Sequence, residues 1–211
     1  MTNVHTDFAR IPHELTTRSN WLLWRESGGK KVPYQTHAPK RKAKCTDPST
    51  WACFEATSAA FKQGRDDGIG FALDADGLAV IDIDGDTSEH AINLLRNVGC
   101  RYIETSPSGN GLHGWGLFNG ELPRKQGHYH GINLEVYSTA RYMSVTGAAI
   151  ESGPFAELAL NDLSKSLRTT IGTQKHRDTE THEAQETQET QVRGGVTDKV
   201  DSEIDEQTLK R

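Results

Sequence analysis

Two patterns in this 211-residue chain predict an α+β fold. Short runs of strand formers with period-two alternation recur from Trp21 to Thr146. Amphipathic helical stretches fall between them without the strict strand–helix–strand alternation of a parallel sheet. The expectation is a largely antiparallel sheet with helices on one side, followed by a tail without a core.

Ile11 to Thr17 predicts a short helix opening at Pro12, and Trp21 to Glu26 a strand that turns at Gly28-Gly29 into a second one over Lys31 to Gln35. Asp47 is a good N-cap and Pro48 suits a first turn, so a helix carrying Trp51, Phe54 and Phe61 is expected up to Gly64. Gly68 to Leu73 and Leu78 to Asp84 read as a hairpin closed by the turn Asp74-Ala75-Asp76-Gly77. Ser88 caps an amphipathic helix that ends at Val98, before Gly99. Strands follow at Tyr102 to Thr105 and Leu112 to Phe118. A last hairpin is expected from Ile132 to Tyr137 and Tyr142 to Thr146, and then a closing helix from Pro154 to Leu167. Trp21 and Trp24, three apart on a strand, leave opposite faces, so one of them at least belongs to the core. Residues 169–211, with the Thr/Gln/Glu repeat THEAQETQETQ, predict a disordered acidic tail.

The formal net charge of -5 is distributed unevenly. Residues 1–168 hold 18 Lys and Arg against 19 Asp and Glu, and residues 169–211 hold 6 against 10. Within the nearly neutral body, Lys30, Lys31, Lys40, Arg41, Lys42 and Lys44 form a stretch with no acid in it, a local positive patch. Three widely spaced cysteines, Cys45, Cys53 and Cys100, suggest neither a disulfide framework nor a zinc ribbon. No apolar run is long enough to span a membrane, and the N-terminus lacks the apolar centre of a signal peptide. A cytoplasmic protein with reduced thiols is expected.

The stretch with the clearest chemistry is Leu78 to Gly85, LAVIDIDG. Alternation puts Asp82 and Asp84 on one strand face and Ile81 and Ile83 on the other. Two such carboxylates, roughly 7 Å apart along a strand, can converge on divalent cations. A calcium loop is excluded, because Thr87 stands at the sixth position where glycine is needed and Asn93 at the twelfth where glutamate is needed. Thr105 to Gly116, TSPSGNGLHGWG, contains G-x-G-x-x-G at Gly109, Gly111 and Gly114, but the residues that follow alternate like a strand instead of opening a helix. The dinucleotide reading fails on that context. What remains is a Ser/Gly turn able to cradle phosphate, with His113 at the start of the next strand. Glu135 is a third, isolated carboxylate, followed across a tight turn by Arg141 and Tyr142.

The ordered motifs W-x-x-W (Trp21, Trp24), KVPY (Lys31 to Tyr34), DPSTW (Asp47 to Trp51), GIGFAL, IDID, SPSGNGLH, LEVY and RYMSVTG resemble, over about residues 11–168, the primase-polymerase domain of phage and plasmid replication proteins in the archaeo-eukaryotic primase superfamily. That resemblance implies a primase catalytic core with an RNA-recognition-like sheet. It implies that Asp82, Asp84 and Glu135 hold Mg²⁺ or Mn²⁺ and are catalytic, and that Ser106, Ser108, Gly109 and His113 bind the triphosphate. Arg141 becomes a further phosphate contact and Tyr142 a sugar contact. Lys40, Arg41, Lys42, Lys44 and Trp51 suit a template strand, by counterion release and by stacking.

The activity so implied is template-directed nucleotidyl transfer by two-metal catalysis, a DNA primase/polymerase of plasmid or phage replication using NTPs or dNTPs on single-stranded DNA. Two other readings share the same residues: a non-catalytic replication-initiation module that keeps the nucleotide pocket, and a metal-dependent nuclease. Many relatives continue into a helicase or a helical primer-recognition module. A chain ending in an acidic tail is therefore expected to work with a replicative helicase in trans, docking through Val196 to Arg211.

Overall fold

A computed structural model describes residues 4–120, 126–163, 165 and 167, all within one compact unit, Met1–Ile171. The expected tail and its docking segment lie outside the described residues. Among the described residues, ten strands build two antiparallel sheets, where one was expected. Sheet A has the order β2-β1-β3-β9 and sheet B the order β10-β5-β6-β4-β8-β7.

β1 (Trp21–Ser27) and β2 (Lys30–Tyr34) form the expected hairpin, closed by Gly28 and Gly29, both at positive φ. β3 (Gly68–Asp74) joins β1, and β9 (Thr139–Val145) joins β3. In sheet B, β4 (Leu78–Ile83) lies between β6 (Leu112–Leu117) and β8 (Ile132–Tyr137). The flanks are β5 (Tyr102–Thr105), β7 (Gln126–Tyr129) and β10 (Ala149–Ser152).

Neither of the two later expected hairpins forms. β3 and β4 belong to different sheets, and so do β8 and β9. The Asp74–Gly77 segment is a corner: Ala75 N donates to Ser138 O at 3.0 Å, Gly77 O accepts from Phe118 N at 3.0 Å, and Asp76 pairs with Arg18. Its backbone groups are taken by other segments, so β3 does not fold back on β4. The one-residue link at Ser138 makes the matching corner between β8 and β9. Both links step from one sheet to the other side by side.

The helix expected over residues 47–64 is split. Asp47 caps a 3-10 turn at Pro48–Thr50, and α2 (Phe54–Phe61) begins after a break. The break arises because Ala52 exchanges two backbone bonds with Trp21, of 3.0 and 2.9 Å, and those groups cannot also serve a helix. α1 (His13–Thr16) and α3 (Glu89–Val98) form as expected, the latter capped by Ser88 and ended by Gly99. The closing helix starts later than expected, at residue 160, because residues 156–158 run along β6 instead: Leu117 N donates to Ala156 O and Leu158 N to Leu117 O. The helices do not share one side of a single sheet. α3 covers sheet B, and α2 packs beside β1 and β3 of sheet A.

The two faces of sheet B have different duties. Ala79, Ile81, Ile83, Ile103, Leu134 and Val136 pack with α3 and with Leu158, Leu160, Leu163 and Leu167. The opposite face carries Leu78, Val80, Tyr102 and Trp115, which join Trp21, Phe71, Met143 and Val145 of sheet A in a second core. Trp21 and Trp24 are both buried. Trp51 is only 8% exposed and packs with Leu22, Ala43 and Ala72 while its Nε1 donates to Lys44 O at 2.7 Å. Its ring is therefore part of the fold and not the exposed template-stacking platform expected from sequence. Trp51→Ala is expected to lower unfolding stability by about 3 kcal/mol, as emptying a large buried aromatic site does, measured by urea denaturation.

Candidate functional site

The face of sheet B that is apolar at Leu78, Val80, Tyr102 and Trp115 becomes polar further along the same strands. Counting on by two residues in register gives Glu104 on β5, His113 on β6, Asp82 on β4 and Glu135 on β8. Each is the direct cross-strand partner of the next. Directly paired residues on neighbouring strands hold their Cβ atoms about 5 Å apart. Four ionisable side chains thus form one row across the middle of the sheet, with Asp84 beside it just past the end of β4.

At one end of the row the contacts are tight. Glu104 is fully buried, and its Oε2 accepts from the Tyr102 hydroxyl at 2.8 Å, Thr146 N at 3.0 Å, Thr146 Oγ1 at 3.2 Å and Gly147 N at 2.8 Å. Its Oε1 lies 3.3 Å from His113 Nδ1, while His113 Nε2 lies 3.5 Å from Asp82 Oδ1. The imidazole is a bridge between a structural carboxylate and a cleft carboxylate. Burial disfavours its charged form, but the bond to Glu104 and the charge of Asp82 outweigh that and raise its pKa above the ordinary histidine range. Burial also raises the pKa of Asp82. His113 opposes that shift, and the like charges of Asp84 and Glu135 add to it.

At the other end Glu135 accepts from the Tyr137 hydroxyl, and its Oε2 lies 3.9 Å from Arg141 Nη2. The Arg141 guanidinium stacks on the Tyr137 ring, 4.6 Å from its centroid. Among the described residues no three His, Cys, Asp or Glu groups close on a cation-sized point. The donor set still suits Mg²⁺ or Mn²⁺. Such ions are commonly held by one or two carboxylates, with substrate phosphates and water completing the shell. Burial, and after it the like charges of Asp84 and Glu135, make the ionised form of Asp82 costly, and a cation there would offset both.

Asp82 and Asp84 border a cleft of about 740 Å³, lined also by Lys30, Lys31, Lys44, Ser106, Ser108 and Arg141. Lys31 reaches in from β2 with its Nζ 3.4 Å from Ser144 Oγ and 5.4 Å from the Trp24 ring centroid. Although the residue as a whole is exposed, burial of its ammonium lowers its pKa, while Asp82 and Asp84 work in the opposite direction. The Ser/Gly turn stands at the rim. Ser106 Oγ and Ser108 Oγ are 3.1 Å apart, Gly109 N bonds Ser106 O, and Ser106 N bonds Gly111 O. Gly109 has φ +77°, and a Cβ at Gly111 would run into the Ile83 carbonyl, so that position is glycine because β4 passes against it.

The structure therefore brings together Asp82, Asp84, Glu135, Ser106, Ser108, His113, Arg141 and Tyr142, as the sequence reading grouped them. Tyr142 differs in detail, since its hydroxyl is committed to the Lys31 carbonyl. Of the basic stretch, Lys30, Lys31 and Lys44 line the cleft, whereas Lys40, Arg41 and Lys42 are exposed on the loop outside its lining. Sequence reasoning missed Glu104 and placed Lys31 only in the basic patch. The signal for Glu104 was its position two residues from Tyr102 on a four-residue strand, which is too short a run to separate it from a surface glutamate.

No family model matches the chain. It is 33% identical, over 149 residues and 65% of its own length, to a DNA primase-polymerase of Nitratiruptor phage NrS-1. The matched part is 20% of that relative, so the chain spans about a fifth of its length.

Two outcomes are expected. Glu104→Gln places an amide where four donors converge, and should lower stability by about 2 kcal/mol, the cost of leaving buried groups unpaired, in urea unfolding at pH 6. In metal-free wild-type protein His113 should titrate by NMR above the range of an exposed histidine, and lower in Glu104→Gln. Because the folded pKa is raised, the stability that His113 contributes is complete below its unfolded pKa, about 6.5, and fades as pH rises through the folded value.

Proposed function

We propose that this domain is a template-directed nucleotidyltransferase, a DNA primase/polymerase acting in plasmid or phage replication, built on an archaeo-eukaryotic primase core. The observation that carries the reading is the row of carboxylates opening into a cleft whose other walls are cationic. Such a division suits a polyphosphate whose reacting phosphorus sits at the acids and whose leaving end sits on Lys31, Lys44, Arg141 and the serine turn. Similarity to a DNA primase-polymerase supports it.

Asp82, Asp84 and Glu135 are the residues that would hold Mg²⁺ or Mn²⁺, which when bound would lower the charge barrier at the attacking and leaving oxygens. His113, gripped by Glu104, keeps one edge of its ring toward Asp82 and the cleft and offers a ring nitrogen in a fixed position to phosphate. Arg141 is oriented by Tyr137 and Glu135 and presents a planar donor set to phosphate oxygens. Ser106 and Ser108 add hydroxyl donors at the rim. Lys40, Arg41 and Lys42 extend the positive surface outward from Lys44, where a single-stranded DNA template would lose counterions on binding. Ribo- or deoxynucleotides are the substrates in this reading, and a replicative helicase acts in trans. No helix among the described residues is long and apolar enough to cross a membrane, in keeping with work in the cytoplasm.

The test is extension of a primed single-stranded template with labelled nucleotides and Mn²⁺. Wild-type protein is expected to extend the primer, and Asp82→Asn with Asp84→Asn to fall to background while keeping its thermal melt. Undiminished extension by that double variant would overturn the reading. Degradation of the single strand without added nucleotides would point to a nuclease instead, and template binding with no incorporation under any metal to a non-catalytic module. Arg141→Ala is expected to raise the nucleotide KM about tenfold, the scale for losing one charge-assisted contact, in steady-state assays.

A further inference from the structure

A second cleft, of about 320 Å³, shares Asp82 and Asp84 with the first and is also lined by Glu135. Its remaining polar lining comes from Gln126 and His128 on β7 and Asn133 on β8. The register explains why these meet. Gln126 is the cross-strand partner of Glu135, and His128 that of Asn133, so all four leave the face that carries Asp82. Gln126 and Asn133 are exposed and His128 half-buried. The acids thus lie between two clefts of different chemistry. Among the described residues, lysine and arginine line only the larger one.

That difference restricts what each can take. A triphosphate placed against three carboxylates without cations is repelled, whereas an uncharged sugar and base are not. Histidine, asparagine and glutamine offer both donors and acceptors, which suits ribose hydroxyls and base edges. Geometry adds a second constraint: in phosphoryl transfer the attacking and leaving oxygens stand roughly in line on opposite sides of phosphorus. With the leaving end on the cations of the larger cleft, the attacking group approaches from the side of the smaller one.

We propose that the smaller cleft is the acceptor site and seats a nucleoside bearing a free 3′-hydroxyl, with His128 and Asn133 as its principal protein contacts. The assignment rests on the nucleotidyl-transfer reading above. The 3′-oxygen forms a bond to the α-phosphorus of the nucleotide in the larger cleft. The bond from that phosphorus to the bridging oxygen breaks, pyrophosphate leaves toward Lys31 and Arg141, and the hydroxyl proton passes to water. The nucleoside is either a primer end or a first free nucleotide, since both present the same group.

The test uses the full 211-residue chain and the double variant H128A/N133A. The acceptor KM should rise about tenfold, the scale of one or two lost hydrogen bonds, while binding of labelled nucleotide stays within about twofold of wild type. A rise for primed template identifies a primer end, and a rise for the first nucleotide in dinucleotide synthesis on an unprimed strand identifies a free nucleotide. Independently of turnover, a primer ending in 4-thiothymidine should photo-cross-link wild-type protein within residues 126–137. This arm stands even if the variant folds poorly. Cross-links confined to other segments, or an acceptor KM unchanged in a variant that melts like wild type, overturn the acceptor assignment while leaving the catalytic reading intact. Failure of wild-type protein to incorporate any nucleotide overturns both.

Discussion

Everything at the site depends on the register of β4 between β6 and β8. With Asp82 opposite both His113 and Glu135, the row is continuous from a buried glutamate to an exposed arginine. A slip of one residue would send Ile81 and Ile83 into the cleft and the aspartates into the core under α3. Apolar burial on both sides opposes that slip. Ile81 and Ile83 are fully buried beneath α3, and Leu78 and Val80 are fully buried on the other face. Each such side chain contributes about 2 kcal/mol when buried. Against this stands repulsion among carboxylates, which near a protein surface reaches about 4 kcal/mol for a pair 4 Å apart. Hydrophobic packing outweighs it, with help from His113, Lys31 and Arg141.

The paired corners between the sheets create the cleft. The link from β3 to β4 runs from sheet A to sheet B and that from β8 to β9 runs back from sheet B to sheet A beside it, and Ser138 accepts from Ala75 where they pass. The strand that carries the acids and the strand that carries Arg141 are thereby brought to one place although they lie in different sheets. Where the sheets cover each other, the shared face is Leu78, Val80 and Trp115. Where the cover ends, the same face carries charge.

Glu104 is the unusual member of the row, because a fully buried carboxylate is costly unless its charge is matched. Four donors on one oxygen and an imidazole on the other supply the match. The return for this arrangement is orientation. His113 is fixed by a group that solvent and substrate cannot reach, so its outer nitrogen meets the cleft in one position.

The local elements were legible in the residues: the Gly28-Gly29 hairpin, the Ser88-capped helix, and the alternation that puts Asp82 and Asp84 together. These depend on neighbours in the chain, through turn chemistry, capping and side-chain period. The two hairpins that failed, at Asp74–Gly77 and Ser138, show what local pattern cannot carry. A Gly- and Asp-rich turn suits a reversal or a corner equally well, and the choice is made by partners such as Phe118 and Arg18. Trp51 was misjudged for the same reason, since exposure of an aromatic ring is settled by whether Leu22 and Ala72 lie beneath it. The sequence by itself determined that two carboxylates share a strand face and that a serine-rich turn precedes His113. Only the tertiary structure decided that Glu104 and Glu135 extend the pair into a row, that Lys31 and Arg141 face it, and that a second cleft lies behind, because pairing of Asp82 with His113 and with Glu135, 31 and 53 residues away, is set by burial of whole sheets and not by any one segment.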